Sequence, residues 1–335
     1  MKRDRIVFEK FGEKFVKDAV ELALKEFEAE KRKCPILPTE NNRERLTGLL
    51  TWLSGQPYGK VALYQGKIVG FLAFAGPWDG FLGKEKGVFS PLGGSAFAEE
   101  VSDIKREKLA SILFSAVAEE LAQDGIFSCA VSRYAHDEEV GRSFVLNGFG
   151  IRCSDAIRDI AKEDFSEKNK EEVQFEELSP KDFKKITPLR NGLILHMSKA
   201  PILFPTDLGG YEDWFDKKMR VFVAKVQGEI AGFISVDDEG ENFVTEDEKM
   251  VNICGAFFKE EFRGSGMAEA LLSHVCNIFK REGIKNMGVD FETLNPTAIH
   301  FWSKYFTSYT YSYARRFDER IRGYAEEAKK LLMEL

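Results

Sequence analysis

Between Phe11 and Lys31 the apolar residues Phe11, Phe15, Ala19, Leu22, Ala23 and Phe27 recur in steps of three and four, which predicts an amphipathic helix. The period then changes. "VALYQGKIVGFLAF", Val61 to Phe74, reads as two short strands about a Gln65-Gly66 turn, a β-hairpin. A Gly-rich stretch from Gly87 to Gly94 is followed by a helical run with Ile104, Leu109, Ile112, Leu113, Val117 and Leu121 on its apolar stripe. A strand around "IFSCAV" and a short helix from Glu138 to Leu146, stopped by Asn147-Gly148, complete the first half.

The same order then returns. "VQFEEL" predicts a strand, Lys181 to Met197 and Tyr211 to Met219 predict helices, and "VAKVQGEIAGFISV" from Val223 to Val236 repeats the first hairpin. The two hairpin segments share seven of fourteen residues without a gap and start 162 residues apart (223 minus 61). A strand from Met250 to Phe258, a long helix, a strand from Asn286 to Phe291, a helix opened by Asn295-Pro296 and a Tyr-rich strand from Ser308 to Arg316 follow. This order predicts an α+β fold in two copies, each with one mixed, mainly antiparallel sheet flanked by helices. The charged stretch "AKEDFSEKNKEE" buries little and reads as a linker, giving domains at 1–160 and 173–335 joined by 161–172.

A length of 335 residues fits two domains of ~100 to 200 residues each. The net charge of -7 argues against a nonspecific hold on nucleic acid or anionic lipid, so neither nucleic acid nor a membrane is an expected partner. The N-terminal sequence has no apolar signal core, and no run of about 18 apolar residues occurs. Five scattered cysteines and four isolated histidines suggest neither a disulfide framework nor a metal site. These features predict a cytoplasmic protein without a bound metal.

Chemistry concentrates at Arg263-Gly264-Ser265-Gly266-Met267-Ala268, between an apolar strand and a helix. A helix start has N–H groups without partners and the positive end of the helix dipole, and glycines let an anion approach them. The same turn also serves purely steric ends. The Walker spacing is absent, and Glu269 interrupts the dinucleotide spacing G-x-G-x-x-G.

Arg263, Gly266 and Ala268 resemble the cofactor motif of the GCN5-related N-acetyltransferase (GNAT) family: Arg or Gln, two residues, Gly, one residue, then Gly or Ala. Asn295, Ala298, Phe301 and Trp302 resemble a second motif of that family, and the likeness runs from about Val173 to Arg316. It implies two tandem acyl-CoA N-acyltransferase folds, the second using acetyl-CoA as cosubstrate to acetylate an amine of a small molecule or peptide. The diphosphate would rest on the amides of Arg263, Gly264, Ser265, Gly266, Met267 and Ala268, with the pantetheine arm along Phe257, Phe258 and Lys259 and near Asn295.

Amine attack needs a neutral nucleophile, hence a base, and the leaving thiolate needs a proton. Asp290 and Glu292, on one face of a strand, and Glu260 or Glu261, beside the phosphate turn, are candidate bases; the latter two read first as a solvated loop. The family often draws its acid from a Tyr where this chain has Trp302; Tyr305, further along, is the candidate donor in its place, with Tyr309, Tyr311 and Tyr313 as alternatives. Two other readings stay open: an acyl-CoA-binding sensor or scaffold without turnover, and a transferase of a longer acyl or aminoacyl group.

In the first copy "RSFVLNGFG" resembles the end of the same final motif, with Phe144 matching Trp302. Where the phosphate turn should fall, however, the chain reads "EEVSDIKREKLASILF", with two leading acids and no glycine. This copy is therefore expected not to bind the cofactor in the usual way. The loop from Val236 to Lys249, with seven acidic residues, reads first as a solvated hairpin tip and alternatively as a collector of cationic acceptors.

Overall fold

A computed structural model describes residues 5–82, 84–101, 104–162, 173–204 and 218–333. Most of the expected linker and the helix expected from Tyr211 lie outside the described residues, the latter as far as residue 217. Two compact units form, one from Met1–Pro35, Thr39–Ser154 and Tyr309–Leu335, the other from Ile36–Pro38 and Asp155–Ser308.

The first unit runs β1 (Val7–Lys10), α1 (Val16–Lys33), α2 (Asn42–Ser54), β2 (Tyr58–Tyr64), β3 (Lys67–Trp78), β4 (Gly87–Ser90), β5 (Ser95–Phe97), a short pair β6 (Glu100–Val101) and β7 (Ile104–Lys105), α3 (Arg106–Gln123), β8 (Ser128–Tyr134), α4 (Glu138–Leu146) and the start of β9 (Gly150–Asp159). Helix α1 starts later than its apolar period suggests, because Phe11 precedes it and stacks on Phe71 with ring centroids 5.5 Å apart. Helix α2 adds to the expected elements; its buried Leu46, Leu50 and Leu53 follow helical spacing.

The second unit takes the end of β9, then β10 (Val173–Leu178), a 3-10 segment (Pro180–Ile186), α5 (Thr187–Met197), β11 (Arg220–Val226), β12 (Glu229–Asp237), β13 (Met250–Phe258), α6 (Met267–Arg281), β14 (Asn286–Glu292), α7 (Pro296–Trp302) and β15 (Thr307–Ser308). The single helix expected from Lys181 to Met197 is split. Pro188 lacks an N–H and fits only the first turn of α5. The chain ends in the first unit with β16 (Thr310–Arg316), antiparallel to β8 and β9, and α8 (Ile321–Met333).

The hairpin repeat extends to backbone detail. Both turns put Gln then Gly at positive φ (Gln65 51°, Gly66 76°; Gln227 51°, Gly228 83°), the pairing that suits the twist of a two-residue hairpin. Both hairpins also change register at matching places, Ala62/Leu63 and Ala224/Lys225.

In the second unit β10, β11, β12 and β13 pair antiparallel and β14 joins β13 in parallel. One face carries α6, whose Leu271, Leu272, Val275, Cys276 and Phe279 pack on Phe222, Ala224, Ile234, Val251 and Val289. The other carries α5 and the 3-10 segment, which bury Leu189, Phe183 and Ile186 against Val221, Val223 and Phe233. This is the mixed, mainly antiparallel sheet flanked by helices that the pattern predicts.

Candidate active site

Strands β13 and β14 pair only from Met250↔Asn286 to Ile253↔Val289, and both continue beyond that point. At the place where pairing stops, the β12–β13 ladder shifts register, from Val236↔Ile253 to Ser235↔Gly255, so Cys254 is an extra residue. Such a bulge bends its strand and raises local twist. It also exchanges the faces: Val251 and Ile253 point to the α6 core before it, Ala256 and Phe258 after it. The two strands thus part into a wedge, and among the described residues no strand pairs with the inner edge of β13 from Cys254 to Phe258.

Past the open end of β13 lies the glycine turn. Gly264 (φ 72°) and Gly266 (φ 81°) are left-handed, and Gly266 caps α6 without a side-chain bond. A Cβ built on Gly264 meets nothing within 4 Å, so the space above the turn is open. Among the described residues the N–H groups of Gly264, Gly266 and Ala268 donate to no backbone carbonyl. Ser265 Oγ closes the turn from inside by donating to the Phe262 carbonyl at 2.7 Å. Met267 is buried in the core, and its N–H makes only a long 3.4 Å contact with Ser265 Oγ. The result is an exposed concavity of amides at a helix N-terminus, which suits a phosphate or diphosphate.

Arg263 holds this geometry. Its Nε donates to the Phe258 carbonyl at 3.0 Å and its guanidinium lies 5.0 Å from the centroid of the Phe257 ring. Phe258 is buried toward α6; Phe257 faces α5, where a methyl on Gly192 would come within 2.7 Å of its ring. Lys259 N–H is already committed to the Ala231 carbonyl at 2.9 Å, so Lys259 offers an arriving chain its carbonyl.

On β14, Val289 and Phe291 enter the α6 core, so Asp290 and Glu292 face the other way, toward the α5 side. Asp290 keeps solvent-accessible surface while protein crowds its carboxyl. Crowding, together with Glu241, Asp155 and Glu292, pushes that carboxyl well above the usual range. Glu241 and Asp237 are also raised, each first by the protein crowded about its carboxyl, and Cys254, though its surface is exposed, is raised to about 11 first by crowding, with Asp237 and Asp290 among the further causes.

The acidic loop is therefore not a free tip. Phe243, Val244 and Thr245 are buried, and Asn242 Nδ2 donates to Asp155 Oδ2 at 3.1 Å, which carries Glu241 into the field of Asp290. Glu260 and Glu261 form a 3-10 turn without a buried residue, as a solvated loop requires.

Asn295 caps α7 where β14 ends. Its Oδ1 accepts from Thr297 N (3.2 Å), Thr297 Oγ1 (2.7 Å) and Ala298 N (3.4 Å), and lies 3.2 Å from His196 Nε2. His196 belongs to no motif, and nothing in the sequence distinguishes it from the other three histidines.

Trp302 is buried among Phe301 and Phe306. Tyr305, the expected proton donor, packs on the α6 side, hydrogen-bonds Glu269 in the first turn of α6, and is raised above the ordinary phenol value by burial and that carboxylate. The fold does not bring it to the face of Asp290 and Glu292. Tyr305→Phe is accordingly expected to change kcat less than about threefold, since general acid–base catalysis contributes about 10²-fold or more where it operates; steady-state kinetics read this directly.

The first unit has the matching wedge, and it is filled. β4 pairs with β8 only as far as Ser90↔Val131, after which β5 pairs with β3. Into the gap reaches Arg133, whose Nη1 donates to the Ser95 carbonyl at 2.7 Å, and Glu26, whose Oε1 accepts from Phe97 N–H at 2.8 Å. Arg133, Glu26, Arg106 and Asp137 close a ring of alternating charge. Beside it opens a cavity of 1040 Å³ along α1.

Among the described residues, no group of His, Cys, Asp and Glu is placed to hold a metal ion, and no helix is long and apolar enough to cross a membrane. The second unit thus combines a split parallel pair with a glycine turn at a helix start. Residues 193–306 match the model of the Acetyltransferase (GNAT) family. No curated protein matches the chain. Among solved structures, the chain is similar to a GCN5-related N-acetyltransferase from Sphaerobacter thermophilus (12% identity, TM-score 0.60, 94% of this chain and 97% of that one). It is also similar to a fungal multi-domain GH3 beta-N-acetylglucosaminidase that carries a GCN5-related glucosamine N-acetyltransferase region (14% identity, TM-score 0.58, 94% of this chain). The chain spans 38% of the fungal protein's length. At these identities the likeness is one of fold.

Proposed function

We propose that the second unit transfers an acetyl group from acetyl-CoA to a primary amine by direct attack, while the first unit binds no cofactor. The carrying observation is the bulge-opened wedge, which has an anion seat at one end and raised carboxyls on its α5 face. In this reading the turn from Arg263 to Ala268 holds the diphosphate. The unpaired edge from Cys254 to Phe258 lines the pantetheine arm, with the Lys259 carbonyl and Asn295 beside it. Holding thioester and amine together supplies much of the acceleration.

The crowded acids Asp155, Asp237, Glu241 and Asp290 favour a cationic acceptor, whose positive charge relieves their mutual repulsion. Asp290 is the base. A carboxyl whose pKa is raised accepts a proton more readily. Glu292, on the same face, sustains that shift. The acceptor belongs to a small molecule or a peptide. The filled wedge of the first unit supports its reading as a degenerate copy, and five cysteines without a disulfide suit a reducing cytoplasm.

The test is release of coenzyme A thiol in the presence of a panel of amines, with cofactor stoichiometry measured by calorimetry. Thiol release with selected amines, and one acetyl-CoA bound per chain, are expected. Stabilisation by acetyl-CoA without acceptor-dependent thiol would instead identify a binding protein. Because the active form of Asp290 is the ionised one, kcat/KM should fall as pH drops through its raised pKa, well above 3.8. Asp290→Asn should lose that acid limb and about 10²-fold or more in kcat/KM; an unchanged pH profile would remove Asp290 from the mechanism.

A further inference from the structure

We propose that His196 gives the proton that the departing thiolate takes, an assignment that rests on the acetyl-transfer reading. The tyrosines do not suit this role: Tyr305 is tied to Glu269 on the α6 side, Tyr309 and Tyr313 are buried, and Tyr311 packs on the core of the first unit. Helix α5, by contrast, lies over the β13 arm of the wedge, with Gly192 against the Phe257 ring. In its last turn His196 reaches Asn295 at the end of the β14 arm. The imidazole thus bridges the two arms from the face that Asp290 shares.

Chemistry fixes which nitrogen is available. Two backbone N–H groups and the Thr297 hydroxyl donate to the Asn295 side-chain atom at this point, so that atom is the carbonyl oxygen. An amide oxygen only accepts, and His196 Nε2 at 3.2 Å must therefore carry a hydrogen. Proton exchange is left to Nδ1, for which no partner occurs among the described residues. Asn295 Nδ2 lies 3.7 Å from Met197 Sδ, so the residue next to His196 helps hold the pair in register.

The step balances without another reactant. The neutral amine attacks the thioester carbonyl, forming the C–N bond, and the C–S bond breaks with its electron pair going to sulfur. Asp290 takes the proton leaving nitrogen, and Nδ1–H of the His196 imidazolium gives a proton to sulfur. Exchange with solvent returns both groups to their starting states.

The experiment compares His196→Ala and His196→Gln for acceptor-dependent thiol release, KM for acetyl-CoA, and thermal stabilisation by acetyl-CoA. Alanine is expected to lower kcat about 10²-fold with KM changed less than about threefold. Added imidazole should restore at least about tenfold of that loss, on the same scale, and leave the native rate unchanged. Glutamine keeps an N–H for Asn295 but supplies no titrating nitrogen, so its kcat should stay low. Native-level kcat in His196→Gln would overturn the proposal and leave His196 as a support of Asn295. A loss confined to cofactor stabilisation would overturn it as well. Failure of the underlying reading looks different: the unmodified protein would then release no thiol with any amine.

Discussion

Arg263→Glu is expected to remove stabilisation of the protein by acetyl-CoA, with affinity lowered about 100-fold, or ~2.8 kcal/mol at 1.4 kcal/mol per tenfold. Three effects act together. The guanidinium that braces Phe258 and covers Phe257 is lost, a positive charge beside the proposed diphosphate seat is reversed, and the new carboxylate is repelled by the bound anion. The fold itself should survive, because Arg263 is exposed and belongs to no buried pair. Gly264→Val gives an independent check. Its Cβ enters open space rather than the core, so the folded chain bears mainly the cost of a left-handed non-glycine residue, of order 1–2 kcal/mol. The bound phosphate, however, would meet the new side chain. If acetyl-CoA still raises the melting temperature of both variants by the native amount, the diphosphate lies elsewhere.

What is legible in the sequence depends on the range of the forces involved. The hairpin repeat is legible down to its Gln-Gly turns because positive φ at two successive positions is a local demand. The cofactor turn is legible for the same reason: Gly264 and Gly266 are required by their own backbone. The opening of the wedge is not. It depends on Cys254 being one residue too many for the β12 register, and nothing about a cysteine in an apolar run announces a bulge. Nor does the order of elements announce that β16 pairs with β8.

The acidic loop shows a different failure. Seven acids in fourteen residues look solvated when counted, yet Phe243 and Val244 anchor the segment and Asn242 ties it to Asp155, far away in the chain. His196 is invisible in the sequence because its meaning comes from Asn295, 99 residues on (295 minus 196). In the first unit the sequence shows that Glu99 and Glu100 would oppose an anion. The residues that fill that wedge, Glu26 and Arg133, lie well away from the altered turn and cannot be found by reading it.

That filling sets the largest expected effect on stability. Arg133→Met should destabilise the first unit by about 3–5 kcal/mol, the usual cost of breaking a buried pair by removing one partner. Arg133 is 1% exposed and neutralises Glu26 and Asp137, both nearly buried; without it Arg106 alone faces two carboxylates. Burial already raises Glu26 above its ordinary value, so the loss cannot be absorbed by simply leaving that carboxylate ionised. In scanning calorimetry this corresponds to a melting temperature lower by roughly 6–20 °C, at ~2–4 °C per kcal/mol for a unit of this size. The double variant Glu26→Gln, Arg133→Met supplies the decisive comparison. It leaves Arg106 and Asp137 as a balanced pair, and the amide oxygen of the introduced glutamine can still accept from Phe97 N–H, so it should be more stable than Arg133→Met alone. If the two substitutions simply add, charge balance does not hold the ring together. Acetyl-CoA should stabilise the second unit equally in all three proteins; a change in that response would mean that the wedge of the first unit also takes cofactor.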